Sequence, residues 1–456
     1  MRAYRSLGSA LCLLCIAAAS VSLLTAAASA QFRFAEKGDL PAIDTKLQEA
    51  AIDSVTHALN EGYVFADKAA RMDSLLRANL ASGVYRALTD PAEFMARLQS
   101  DVATIYLDRH MRMAALPPGS IPAGKPAENP YDTEEFRERM RRGNYGFKKA
   151  EILAGNVGYL KFNQFADTEI AGPTAAGAMS FLANADALII DLRENGGGSA
   201  SMIQLLTGYF FKDGVHLIDW YHRRNDETIQ SWSNDWVPGK TMYNIPIYVL
   251  VSGHTGSAAE EFTYDLKNEK RATIVGEKTG GAAHTVEFHV FDLGPFIAAI
   301  QLPSGRAISP VTKTNWEATG VEPDIAVPAE KALAAAHLDA LTKLEEKAKD
   351  DDARRALAWA RDGLESEITP FALSPKALKE YAGTFGPRKF FVEGSRLMYE
   401  REGRPKVALV PMRKDLFGLE GIEYFRVRFT RGASGAIDGI VGIYDNGREE
   451  AGPKAK

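Results

Sequence analysis

Between Pro41 and about Leu107, apolar positions recur every three or four residues. Leu47, Ile52, Val55 and Leu59 form one stripe, and Met72, Leu75, Leu76 and Leu80 a second. That spacing gathers each set on one face of a helix. Asp90-Pro91 supplies a cap and a first-turn proline ahead of a third stripe, Phe94, Met95 and Leu98. An N-terminal helical bundle is the expected result. Glycines and prolines between Pro117 and Pro130 then break the period, and the charged run from Glu134 to Arg142 reads as a connecting helix.

Beyond that run the texture changes. Residues 158–162 are strand-like, 175–181 helix-like, and Ala187-Leu188-Ile189-Ile190-Asp191-Leu192 is a buried strand leading into Gly196-Gly197-Gly198. A helix from Met202 to Phe211, a strand over 247–251, a helix from Ser257 to Leu266 and a strand over 272–275 follow. Such alternation predicts an α/β layer with parallel pairing in part. Ligands of these sheets sit beyond the C-terminal strand ends, where both Gly196 and Ser257 fall. Leu333, Leu338, Leu341 and Leu344 then predict a helix continuing toward Leu364. After Pro370, short β-like runs predict a small C-terminal β domain, with Asp438-Gly439 and Asn446-Gly447 as turn signals. The expected division is 1–30 signal peptide, 31–116 helical domain, 117–150 linker, 151–364 α/β core and 365–456 β domain.

Composition narrows the class. With 456 residues, 46% of them hydrophobic and 25% charged, the chain is too apolar for disorder and too long for a disulfide-stapled miniprotein. Its 59 acidic against 54 basic residues give a formal charge of −5, which disfavours nucleic acid as a partner. Arg2 and Arg5 precede an apolar run from about Ala10 to Ala27 that ends in Ala28-Ser29-Ala30, the pattern of an export signal. An uncleaved anchor is the alternative, disfavoured by the short run and its small-residue end. No later stretch is apolar enough to span a bilayer, so a periplasmic or secreted protein is expected. Both cysteines, Cys12 and Cys15, fall inside the signal. The mature chain therefore offers neither a thiol nucleophile nor a Cys-ligated metal, and no cofactor is expected.

Among candidate nucleophiles Ser257 stands out. It follows a buried strand and opens a helix in Gly253-His254-Thr255-Gly256-Ser257-Ala258-Ala259-Glu260, where glycines permit a sharp turn and free N–H groups can meet an oxyanion. Read locally, Ser257 is as readily a helix cap with Glu260 as its box partner. Asn195-Gly196-Gly197-Gly198 ends the preceding strand. It lacks the Lys and Ser/Thr of a phosphate loop, so a tight turn or an oxyanion cradle remain, with Gly197 and Ala258 as the paired amides. Eight histidines could serve as base, and none belongs to a metal signature. His284 and His289 have no acidic ligand cluster near them in sequence. His254 is close to Ser257 along the chain, but that alone does not aim its ring.

Several pieces in order carry a resemblance. They are Leu107-Asp108-Arg109-His110, Gly158-Tyr159-Leu160, Asp191-Leu192-Arg193-Glu194-Asn195-Gly196-Gly197-Gly198, Thr255-Gly256-Ser257-Ala258-Ala259-Glu260, Gly276-Glu277-Lys278-Thr279-Gly280-Gly281, and Asn315-Trp316-Glu317 through Asp324. Over roughly residues 41–330 the chain resembles the tail-specific, or C-terminal processing, serine protease family, in the branch related to interphotoreceptor retinoid-binding protein and the tricorn core. The resemblance implies a crotonase-like ββα core, with Ser257 as nucleophile, His110 and Glu317 completing a triad, and Gly197 and Ala258 as oxyanion donors. The other branch uses a lysine twenty-five positions after the serine, and Ala282 stands there. Many relatives carry a PDZ domain, and the segment between His110 and Gly158 has no obvious strand series to build one.

These residues imply a serine-type endopeptidase that cleaves peptides or unfolded proteins through an acyl-enzyme. For His110 to serve, the helical region must pack onto the α/β core. A catalytically silent ligand- or peptide-binding protein on the same scaffold, or an esterase, are the alternatives. The sequence leaves the natural substrate and the oligomeric state open.

Overall fold

The computed structural model describes residues 34–108, 110–120 and 133–455. The expected signal peptide with both cysteines, and residues 121–132 of the expected linker, lie outside them. The chain forms two compact units. The first gathers the described part of Met1–Glu151 with Tyr159–Asn184 and Ile190–Glu330; the second holds Ile152–Gly158, Ala185–Ile189 and Lys331–Lys456.

The first unit opens with α1 (Thr45–Gly62), α2 (Ala66–Ala81) and α3 (Pro91–Ile105). Asp44 and Asp90 cap α1 and α3 by accepting N–H bonds from their first turns. The predicted stripes are buried, and they bury against a sheet rather than only against one another. Ile52, Leu59, Leu76 and Phe94 share one core with Met113 on β1 (Arg112–Leu116) and with Ala298, Ile300 and Leu302 on β10 (Ile297–Ile308). The helical region is thus fastened to the strand layer, the condition that the His110 assignment sets.

Next in the chain come α4 (Glu134–Arg142), β2 (Phe147–Leu153), β3 (Val157–Phe162), α5 (Thr168–Leu182), β4 (Ala187–Asp191) and α6 (Ala200–Gly208). A hairpin of β5 (His216–His222) and β6 (Glu227–Trp232) precedes β7 (Ile247–Val251), α7 (Ala258–Asn268) and β8 (Thr273–Gly276). The long β9 (His284–Asp292) pairs antiparallel with β10, and β11 (Ile325–Ala326) closes the series. Two sheets result: β1-β10-β5-β6 with β9 beside β10, and β11-β8-β7-β4-β3-β2, in which β7, β8 and β11 run parallel. The architecture is mixed α/β.

The strand–helix alternation read from the sequence omits β1, β2, β5, β6, β9 and β10. Most of these carry polar or mixed positions on one face, because an antiparallel sheet buries only one side of each strand. The buried strands β4 and β7, five consecutive buried positions each, are the ones that the sequence announces.

In the second unit, the single helix expected to run from Leu333 toward Leu364 is two. Asp350 caps the start of α9 (Asp351–Ile368) after α8 (Ala332–Lys347) has ended. Eight strands, β12 (Gly383–Phe385) to β19 (Glu449–Pro453), then follow as an antiparallel meander around Phe385, Phe390, Phe417 and Phe429. Asn446-Gly447 does turn the chain, with Gly447 at φ +81. Asp438-Gly439 does not. Both residues lie inside β18 (Ile437–Tyr444), and the reversal falls earlier, where Gly435 at φ +80 donates to Gly432 O.

Candidate active site

Ser257 sits at the mouth of a tightly tied turn. After β7, Thr255 Oγ1 donates to Leu192 O at 2.8 Å and accepts from Ser252 N at 3.0 Å, while Gly256 N donates to Asn195 O at 3.1 Å. The chain then enters α7 through Ser257 at φ +52, ψ −124, a conformation that costs a residue with a side chain on the order of 1–3 kcal/mol. An ordinary cap has extended backbone, so capping alone does not explain this geometry. The Ser257 N–H is held by Glu260 Oε2 at 3.0 Å.

Glu260 is fully buried and collects four donors. Besides Ser257 N, Oε2 accepts from Ala282 N at 2.9 Å, and Oε1 accepts from Thr279 Oγ1 and Gly281 N, both at 2.6 Å. Burial pushes this carboxyl upward from its ordinary range and the four donors oppose it. These donors favour the ionised form of the group. Glu260 thereby ties the serine turn to residues 279–282.

The glycine run lies against the serine. Gly197 has φ +108, and a Cβ there would stand 2.7 Å from Ser257 Cβ and 2.8 Å from Ala258 N, so only glycine fits. Behind the run, Asp191 accepts from both Tyr159 Oη and Arg193; burial raises its carboxyl, but these partners outweigh burial and hold it low. Asn195 Nδ2 donates to Phe162 O, and its Oδ1 accepts the Gly197 N–H at 2.9 Å. The Gly197 amide expected to face an oxyanion is therefore already engaged. Among the described residues, the N–H groups of Gly198 and Ala258 have no partner.

His110 lies in the turn between α3 and β1, fixed by its N–H on Asp108 Oδ1 at 3.0 Å and by Gln301 Nε2 donating to its carbonyl at 2.7 Å. Glu317 follows the fully buried Trp316, whose indole N–H donates to Ala282 O. Glu317 Oε2 accepts from Ala283 N at 2.6 Å and stands 3.8 Å from His110 Nδ1. The structure thus brings His110 beside Glu317 and Gly197 beside Ser257 and Ala258. The 3.8 Å separation is an ion-pair distance, longer than a hydrogen bond. His254 is exposed.

Sequence reasoning missed His284 and Asp108. His284 Nδ1 lies 2.8 Å from Asp108 Oδ2 and 3.7 Å from the same Glu317 Oε2 that His110 approaches. Tyr63 Oη also donates to Asp108, and burial together with that carboxylate pushes the phenol upward. No spacing rule could find this group, because its members come from α1, the β1 turn, β9 and the 315–320 turn.

Residues 156–327 match Peptidase family S41. The S41 segment contains the glycine run, Ser257, Glu260 and Glu317, and it leaves His110 outside. Over 103 residues the chain is 33% identical to the "Tail-specific protease" of Haemophilus influenzae, covering 21% of this chain and 13% of that protein. Over 204 residues it is 24% identical to a "Probable CtpA-like serine protease" of Staphylococcus aureus, covering 44% of this chain and 38% of the relative. The chain thus spans well under half the length of these curated relatives. Among solved structures, a photosystem II D1 C-terminal processing protease superposes with a TM-score of 0.41 at 14% identity, over 68% of this chain and 99% of that one. No helix among the described residues is long and apolar enough to cross a membrane.

Proposed function

We propose that the chain is an exported serine-type peptidase, periplasmic or secreted, built on a crotonase-like core and cleaving peptides or unfolded proteins through an acyl-enzyme on Ser257. The observation that carries this reading is the serine itself: a residue of the S41 segment, at positive φ on the N-terminus of α7, beside an unengaged Ala258 amide and a glycine that admits no side chain. Ser257 Oγ attacks the scissile carbonyl, His110 takes its proton and passes it to the leaving amine, and Glu317 orients the imidazole. The 3.8 Å gap between His110 and Glu317 shortens when substrate closes the site, as catalytic hydrogen bonds do. Ala258 supplies one oxyanion amide. The glycine run supplies the other, from Gly198 as it stands or from Gly197 once its N–H leaves Asn195.

The test is hydrolysis of a fluorogenic peptide library and of unfolded casein by the mature protein and its His110→Ala variant. The expected result is turnover that falls by about 100-fold or more in the variant. Equal turnover in the two proteins would remove His110 from the mechanism. No turnover by either would favour the silent binding protein.

A further inference from the structure

Around Glu317 lies a buried group of side chains of which the proposed peptidase reaction uses Glu317 alone. Asp108, His284 and Glu317 each offer one ligand atom, all within 4.8 Å of one another. The side chains of Asp108 and His284 are wholly inaccessible and that of Glu317 is 3% exposed. Glu317 Oε1, His284 Nε2 and His110 Nδ1 are buried atoms without a hydrogen-bond partner among the described residues. Two carboxylates in one dry site call for positive charge. The neighbouring cation that bears on Asp108, Lys68, sits instead over the rings of Tyr106 and Phe65, and burial lowers its pKa.

We propose that Asp108, His284 and Glu317 form a binding site for a divalent transition cation, Zn2+ by preference, that binding draws His110 Nδ1 in from beside Glu317 as the fourth donor, and that occupancy reversibly silences the peptidase. The distances suit the ion. Four ligands at about 2.0–2.1 Å in a tetrahedron stand about 3.3–3.4 Å apart. The Asp108–His284 separation is 2.8 Å, the His284–Glu317 separation 3.7 Å and the Glu317–His110 separation 3.8 Å. Small adjustments bring the three grouped donors to the tetrahedral value, and His110, which lies outside that group, swings in from beside Glu317 to complete the set. Two imidazoles and two carboxylates form a donor set that Zn2+ accepts, and their charge cancels that of the ion. Binding at His284 Nδ1 moves the proton it shares with Asp108 to the unpartnered Nε2, so the neutral imidazole changes tautomer. The same ion occupies His110 Nδ1 and Glu317, the two atoms that a triad needs to face each other.

The regulatory half of the proposal rests on the peptidase reading, and the metal half does not. Zn2+ binding is therefore measured calorimetrically on the full mature chain carrying Ser257→Ala. The expected result is one ion per chain and a Kd weakened by about 10-fold or more when His284→Gln or Asp108→Asn is added. Thermal unfolding without metal shows whether each variant is folded. In the active protein, the Zn2+ concentration that halves peptide turnover should follow the measured Kd, and a chelator should restore the rate. Absence of saturable binding, or binding unchanged in both folded variants, overturns the site. Tight binding that leaves peptide turnover untouched overturns the regulatory role alone, and failure of all peptide turnover with intact metal binding overturns the peptidase reading alone.

Discussion

Replacing Glu260 by Gln removes one atom's chemistry from the centre of the serine turn. The carboxylate accepts four hydrogen bonds, two on each oxygen, from Ser257 N, Ala282 N, Thr279 Oγ1 and Gly281 N. An amide keeps one accepting oxygen, so two of the four bonds survive and the other two donors meet an NH2 group. Hydrogen bonds to a charged partner contribute about 1.5–3 kcal/mol each, so two lost bonds amount to roughly 3–6 kcal/mol. Relief from burying a charge offsets part of that loss. A net destabilisation of about 2–4 kcal/mol remains, which corresponds to roughly 5–10 °C in the melting transition of a domain of this size. Differential scanning calorimetry measures it. The effect on the site is separable from stability, because Ser257 loses the partner that holds its N–H. At a temperature where the variant is fully folded, its rate of phosphonate labelling should fall by at least about 10-fold, equivalent to 1.4 kcal/mol of barrier. A variant that melts with the parent and labels at the parent rate would refute the view that Glu260 fixes the nucleophile.

Two further outcomes follow from other side chains. Glu317→Gln should lower kcat far more than it raises KM, since Glu317 touches His110 and Ala283 rather than the cleft, and steady-state kinetics with a parental kcat would remove it from the mechanism. Glu261 and Asp265 lie fully buried one turn apart on α7, with Glu261 Oε1 and both Asp265 oxygens unpartnered among the described residues. Burial raises both carboxyl pKa values, and the neighbouring Glu261 charge raises that of Asp265 further. The native state then holds protons that the unfolded chain releases. The stability these groups contribute is present below the ordinary carboxylate range and is lost as pH rises through the raised values. Glu261→Gln should therefore raise the melting temperature more at pH 8 than at pH 5, and a shift independent of pH would show that Glu261 is ionised throughout.

What the sequence discloses is local, and what it withholds is assembled from distant segments. The three N-terminal helices were readable because each buries one stripe and two carry an aspartate cap. Strands β4 and β7 were readable because both faces are covered. The antiparallel β5, β6, β9 and β10 were not, since one face of each meets polar surroundings and their alternation is interrupted, as between Pro303 and Gly305. At the site, Ser257, Glu260 and the glycine run were legible from turn chemistry. His110 and Glu317 came only through the family resemblance, and their proximity depends on the docking of α1–α3 onto β10. That Asn195 occupies the Gly197 amide, and that His284 shares Glu317 with His110, are facts of three-dimensional packing with no sequence signature.

The central claim is that Ser257 is an activated nucleophile. Intact-mass analysis of the mature protein after exposure to a serine-reactive phosphonate, beside the Ser257→Ala variant, tests it most directly. The account predicts a single adduct on the parent and none on a variant that melts at the same temperature. An adduct of equal yield on the variant, or no adduct on the parent across neutral and alkaline pH with metal chelated, would contradict it.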